Sequence, residues 1–222
     1  MRSFTKYFFF LASNWNIRIA WHILRLEIKG ERKYGIHTTG ADELKLLEKK
    51  GIDISHATIY MPASYDLLEE LFLQLKELAV QPSMHFLDIG CGKGRALCMA
   101  AHNGFSKLTG IDISKELCAD AVSNLALTKQ KFLDLDSTII NNDAFYFDIP
   151  TDVDCIFLFN PFDELIMSGV VKNIKDSTRK KPREIVIVYV NPLHKELFTK
   201  AGFRETYHSK KMQYLEAVIL TR

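Results

Sequence analysis

One octapeptide constrains this chain more than anything else in it. A short apolar run, 85–89, leads into Asp88-Ile89-Gly90-Cys91-Gly92-Lys93-Gly94-Arg95, and a helix-like stretch follows. Glycines at every second position let the backbone turn tightly and come close to a ligand. The next helix would present its first, unpaired N–H groups to the same space. A strand, a glycine turn and a helix in this order form half of a parallel-strand crossover.

The rest of the chain after Met84 repeats that unit. Strands are expected at 85–89, 107–111, 138–141, 155–159 and 184–190, and helices at 94–103, 115–128, 163–177 and 192–201. Alternation of this kind predicts right-handed crossovers and a parallel sheet covered on both faces. The end departs from it. Segments 203–208 and 213–220 are two strands with no helix between them, so they read as an antiparallel hairpin at a sheet edge. The expected fold class is α/β: a Rossmann-like, doubly wound, mostly parallel seven-stranded sheet with an antiparallel C-terminal hairpin and a helical N-terminal extension.

The first third reads as helical. Aromatic and aliphatic residues crowd 4–28 as one helix. Thr39 with Asp42 resembles a capping box ahead of a helix at 43–50, and Ser64 is placed to cap a third helix carrying Leu67, Leu68, Leu71, Phe72, Leu75 and Leu78. Gln81-Pro82-Ser83 marks a break. The domains are therefore drawn as 1–82, a helical extension or cap, and 83–222, the sheet domain.

What the glycine loop holds is left open by the loop itself. A P-loop needs a fixed spacing that Leu87 and Gly94 break. A dinucleotide fingerprint wants glycine where Arg95 stands. An acid followed by three alternating glycines suits S-adenosylmethionine, and Asp88 supplies the acid. A plain turn with no ligand is the remaining reading.

The next strand ends add context. Asp112, 22 positions after Gly90 and beside Ile113, can accept both hydroxyls of a ribose. Asp143 follows the third strand, where a carboxylate can accept from an exocyclic amine while the N–H of Ala144 or Phe145 meets a ring nitrogen. Phe145 either covers that ring or is a core aromatic.

Taken together, Phe86 to Asn160 resembles the class I, seven-strand S-adenosylmethionine-dependent methyltransferases, and the likeness extends over residues 84–222. It implies a strand order of 3-2-1-4-5-7-6. It also implies that Asp88, Gly90, Cys91, Gly92 and Gly94 form the first cofactor motif. Asp112 and Ile113 would lie at the ribose, Asp143 and Ala144 on the adenine side. Tyr60 and Pro62 occupy a segment that related enzymes often close over the cofactor.

Asn160-Pro161-Phe162 is similar to the Asn-Pro-Pro-Tyr/Phe motif of methyltransferases that act on nitrogen, but lacks the second proline. The short form also resembles a group of small bacterial methyltransferases with a Gly-Lys-Gly-Arg loop. The Asn160 side-chain oxygen and a backbone carbonyl would accept the hydrogens of an amine and aim its lone pair, with Pro161 and Phe162 completing the catalytic set. Asn followed by Pro is equally the form of a helix start, and Asn191-Pro192 shows it again after the fifth strand. Lys93 and Arg95 are either partners for the cofactor's carboxylate or exposed helix-start cations. His194 is a weaker candidate, as base or as a solvated histidine.

The implied activity is methyl transfer, most readily to nitrogen of an amine or amide, with protein lysine or a small molecule as acceptor. Protein lysine enters because the Tyr60 and glycine-loop regions distantly resemble the non-SET histone-lysine methyltransferases. A non-catalytic S-adenosylmethionine-binding module and a nicotinamide-dependent oxidoreductase are the competing classes.

Charge bears on partners. The chain of 222 residues has a net charge of +2, but residues 1–33 hold seven cations and two carboxylates, and the remainder 22 and 25. A slightly acidic catalytic part makes nucleic acid an unlikely acceptor. The basic, aromatic N-terminal segment reads as a helix packed on the protein or on a second copy, or as an amphipathic helix on an anionic membrane. Four cysteines without metal-ligand spacing fit reduced thiols in the cytoplasm, and no metal is expected. The apolar run 7–12 is far shorter than a bilayer span of about 20 residues.

Overall fold

The structure is a computed structural model that describes residues 2–14, 16–40, 61–81, 84–159, 162–211 and 215–222. In chain order its elements are α1 (Arg2–Asn14), α2 (Ile17–Tyr34), α3 (Tyr65–Glu77), β1 (His85–Ile89), α4 (Arg95–His102), β2 (Lys107–Asp112), α5 (Lys115–Lys129), β3 (Asp136–Asn141), β4 (Val153–Phe159), α6 (Glu164–Lys180), β5 (Val186–Val190), α7 (Lys195–Lys200), β6 (Arg204–Lys211) and β7 (Leu215–Thr221).

All seven strands join one sheet in the order β3-β2-β1-β4-β5-β7-β6. β1 to β5 pair in parallel, and β7 runs antiparallel between β5 and β6. Both the order and the reversed hairpin agree with the sequence reading. Every residue of β1 and β5 is buried, as strands covered on both faces require. The pleat sorts their side chains. Phe86, Cys155, Phe157 and Val188 pack with the helices α3, α4 and α5, while Leu87, Ile89, Ile156, Leu158 and Tyr189 pack with α6 and α7.

The N-terminal segment is two helices rather than one. Ser13 Oγ and Asn14 Nδ2 both donate to the Phe10 carbonyl, and Asn16 Oδ1 accepts the Ile19 N–H at 2.9 Å to start α2. Side chains that compete with the backbone for hydrogen bonds end one helix and cap the next. α1 folds back on α2 around Tyr7, Leu11 and Ala20. α2 then continues past Ile28 to Tyr34 and ends at Gly35, left-handed at φ +72°. Gly30, inside α2, lies against the Tyr65 ring: a β-carbon there would sit 2.1 Å from it. The second half of α2 can therefore lie flat on the start of α3.

Two expected caps differ. Ser64 holds the N-cap position of α3, but its hydroxyl makes no capping bond. α7 starts at Lys195 after His194, not at Asn191-Pro192, because Asn191 is itself left-handed at φ +55°. The expected helix at 43–50 lies outside the described residues.

Candidate active site

The glycine turn joins β1 to α4 at the carboxyl edge of the sheet. Gly90, Gly92 and Gly94 all have positive φ, at 79°, 52° and 78°. Three left-handed residues in five are accessible to few side chains other than hydrogen, which is why the motif is written in glycine. The Gly90 and Cys91 N–H groups both donate to the Ile111 carbonyl at 2.9 Å, and Gly94 N–H returns to the Cys91 carbonyl at 2.8 Å. The loop is thus tied to the end of β2 as well as to β1.

Asp112, the last residue of β2, provides the second tie. Its Oδ2 accepts the Gly92 N–H and its Oδ1 the Ser114 N–H, each at 2.8 Å. Asp88 lies opposite Gly110 in β1, and both acids are buried. Burial pushes the Asp88 carboxyl well above the ordinary range, and the neighbouring Asp112 charge adds to it. Burial raises Asp112 too, opposed by N–H bonds from Ser114, Gly92 and Ile113. Cys91 is buried beside them with its thiol pushed far up, so it is a packed side chain and no nucleophile. Ile113 is half-buried, and its carbonyl accepts from Asn141 Nδ2 at 2.8 Å.

Asp143 follows β3 at the same edge. Its Oδ1 accepts the Phe145 N–H at 2.8 Å, so that N–H is engaged within the turn. Ala144 is buried in the core beside α6. Phe145 packs on Gly169 of α6, where an added β-carbon would lie 2.5 Å from its ring. Tyr146 meets Phe145 edge-on at 5.0 Å and is 77% exposed. Among the described residues it is an exposed aromatic at this edge, one that the sequence reading passed over in favour of its neighbour.

At the end of β4, Asn160 and Pro161 lie outside the described residues, as does Tyr60. Phe162 is half-buried against the α6-side core. The cap of α6 is Asp163, whose Oδ1 accepts the Ile166 N–H at 3.1 Å. The reading of Asn160 as the cap of this helix is corrected accordingly: a carboxylate three residues later does that work.

Arg95 overturns both of its expected roles. It is neither exposed nor turned to a cofactor carboxylate; it is 3% exposed. Its guanidinium forks onto Glu27 of α2, with Nη1 at 3.0 Å from Oε1 and Nη2 at 2.5 Å from Oε2. Nε donates to Thr38 Oγ1 and Nη1 to the Ala63 carbonyl, both at 2.8 Å, and the plane lies 4.0 Å over the Tyr65 ring. The sequence did contain a signal, since Glu27 and Glu31 are the only acids in residues 1–33 and stand one turn apart. Lys93 pairs with Asp120 of α5 at 3.3 Å. His194 is half-buried at the start of α7, where its N–H donates to the Tyr189 hydroxyl at 3.4 Å. Among the described residues no group of His, Cys, Asp or Glu could hold a metal ion, and no helix is long and apolar enough to cross a membrane.

The strand order and the reversed last strand are the fold of the seven-stranded, class I S-adenosylmethionine-dependent methyltransferases. Comparison with known proteins agrees. Residues 86–181 match the family model described as a methyltransferase domain. Magnesium protoporphyrin IX methyltransferase from Synechocystis, with bound S-adenosylmethionine, superposes at a TM-score of 0.51 with 17% identity, over 71% of this chain and 78% of that one. A S-adenosylmethionine-dependent methyltransferase from Aquifex aeolicus does so at 0.50 with 16% identity, over 72% and 99%. No curated protein matches the sequence. Residues 86–181 are thus similar to a methyltransferase domain, and the chain shares the fold of an enzyme solved with S-adenosylmethionine bound.

Proposed function

We propose that this protein methylates nitrogen in an amine or amide acceptor, a protein lysine or a small molecule, with residues 83–222 as the methyltransferase domain and 1–82 as its helical cap. The observation that carries the reading is the Asp163 cap: it frees Asn160-Pro161-Phe162 from starting α6. The bound cofactor supplies an electrophilic methyl group on sulfonium. The protein's part is positional. The left-handed glycines 90, 92 and 94 let the backbone come close to the cofactor, with Cys91 packed beneath. Asp88 is the buried acid that fixes the start of this motif. Asp112 and Ile113 meet the ribose, Asp143 and Ala144 the adenine, and Tyr60 the open side. The Asn160 oxygen accepts the acceptor's N–H hydrogens and aligns the lone pair with the methyl, so that catalysis comes mainly from in-line placement.

Labelled S-adenosylmethionine, cell extract and mass spectrometry of the products test this. Asn160→Ala should cut methyl incorporation by about a hundredfold while leaving cofactor affinity close to that of the wild type. Undiminished incorporation would remove Asn160 from the mechanism. Binding without any incorporation in the wild type would favour a non-catalytic binding module.

A second reading concerns the α1–α2 hairpin. Phe9, Ile17 and Trp21 are 65%, 66% and 55% exposed, and Trp21 and Phe9 both touch Phe8. Residues 1–26 contain Arg2, Lys6, Arg18 and Arg25 and no carboxylate. Aromatics among unbalanced cations suit a peripheral site on the anionic, cytoplasmic face of a membrane. Full-length protein should float with phosphatidylserine-containing vesicles, and Trp21→Ser should reduce this severalfold. Equal recovery with neutral vesicles, or a dimer by light scattering that Trp21→Ser dissolves, would replace the lipid with self-association.

A further inference from the structure

Arg95 follows directly on Gly94, yet its side chain serves the N-terminal helix. The same helix also holds residues 38 and 39. Glu31 Oε1 accepts the N–H groups of Thr38 and Thr39, each at 2.7 Å, and Thr39 Oγ1 donates to Glu27 Oε2 at 2.8 Å. Asn124 of α5 closes the other side. Its Oδ1 accepts the His37 N–H at 2.7 Å, while its Nδ2 donates to the carbonyls of His37 at 3.1 Å and Lys93 at 2.9 Å. Glu27, Glu31, Thr38, Thr39, Arg95 and Asn124 are all buried.

Both residues that flank Gly94 are thereby tied to residues 37–39, and those to α2. The other end of the loop is tied to β2 through Ile111 and Asp112. Three glycines in five residues have no β-carbon to restrict them, so the loop's shape must be imposed from outside. The sheet imposes one half of it. α2 imposes the other.

We propose that Glu27 and Arg95 are positioning residues: docking of α2 sets the cofactor loop in its binding shape, and cofactor binding in turn holds α2 in place. The proposal rests on the glycine loop being where S-adenosylmethionine binds. Without the Glu27 carboxylate, Arg95 keeps a buried charge with no counter-charge at that position, and the α4 start must move to find water. Linkage then makes the effect mutual: whatever factor α2 docking adds to cofactor affinity, the cofactor adds to α2 docking.

The test uses the full chain with S-adenosylhomocysteine as the probe. Hydrogen exchange of residues 24–39 is measured with and without saturating probe, and its affinity by calorimetry. The expected result is slowed exchange in 24–39 on binding, and affinity about tenfold weaker in Glu27→Gln and about threefold weaker in Thr38→Val. Thr38→Val keeps the Glu27–Arg95 pair, so it remains informative if Glu27→Gln fails to fold. A merely structural role would lower the melting temperature of the variants yet leave the affinity of the folded protein and the exchange of α2 unmoved, and that result overturns the coupling. Absence of binding in the wild type overturns the cofactor reading and the coupling with it; binding without coupling overturns the coupling alone.

Discussion

Glu27 and Glu31 approach the glycine loop from α2, whereas Asp88 and Asp112 approach it from the sheet beneath. All four carboxylates are buried. The glutamates are answered in full: a forked guanidinium, two backbone N–H groups and a threonine hydroxyl meet them. The aspartates are answered in part. Asp112 has backbone donors, but no cation counters either acid among the causes that shift them, and each carboxyl is pushed up. The difference separates structure from chemistry. A buried acid whose lone pairs are met holds two elements together. A buried pair of acids without a cation, at the carboxyl edge where sheets of this kind bind ligands, suits donors and positive charge brought from outside. S-adenosylmethionine offers both, in its ribose hydroxyls and its sulfonium.

The largest effect should come from breaking the satisfied side. Arg95→Ala leaves Glu27 buried without its partner, and a urea melt should show a loss of about 3–5 kcal/mol. A loss under 1 kcal/mol would mean that the fork is not what joins α2 to α4. Asp112→Asn, on the other side, should cost less stability, about 1–3 kcal/mol for the one backbone N–H left without its acceptor, and reduce cofactor affinity by about 10- to 100-fold in calorimetry. Loss of stability without loss of affinity would make Asp112 a brace and nothing more.

pH sharpens the same contrast. Both aspartate shifts are upward, so the folded protein holds these protons more tightly than the unfolded chain does. Stability therefore falls as pH rises from the ordinary carboxylate value to the raised one, and is level above it. Cofactor affinity should rise over that same interval, because an ionised Asp112 is the better acceptor for ribose hydroxyls, and Asp112→Asn should flatten the rise. The smallest effect belongs to Lys93, whose partner Asp120 is half exposed. Lys93→Ala should cost no more than about 1 kcal/mol and leave affinity near its wild-type value.

How much of this could be read in advance depended on the range of each interaction. β1 was expected at 85–89 and runs from His85 to Ile89, because Phe86, Leu87 and Ile89 crowd a short segment bounded by a glycine turn. The three glycines were legible for the same reason: φ is a property of one residue. The helix break at Asn16 and the cap at Asp163 are also local, yet each competed with an equally local alternative, one long apolar helix and Asn160-Pro161. Sequence spacing cannot rank such pairs; packing does. Arg95 was misread outright because its partner lies 68 positions away. No periodicity or motif length reaches that far. The acids Asp88, Asp112 and Asp143 were located correctly at strand ends. That two of them share a buried pocket with raised proton affinity became visible only when β1 and β2 were set side by side.

That 68-residue separation also bears on assembly. Closing a loop of this length costs about 4 kcal/mol of chain entropy before any contact is repaid. The Glu27 carboxylate can meet the nearby Thr39 hydroxyl early, but its forked guanidinium partner is missing until β1, the glycine turn and the first turn of α4 exist. During synthesis the α1–α2 hairpin precedes the sheet and must wait, aromatic and acid-bearing, while about seventy further residues emerge. An element made before the sheet therefore gains its guanidinium partner only after the first crossover of the sheet has formed.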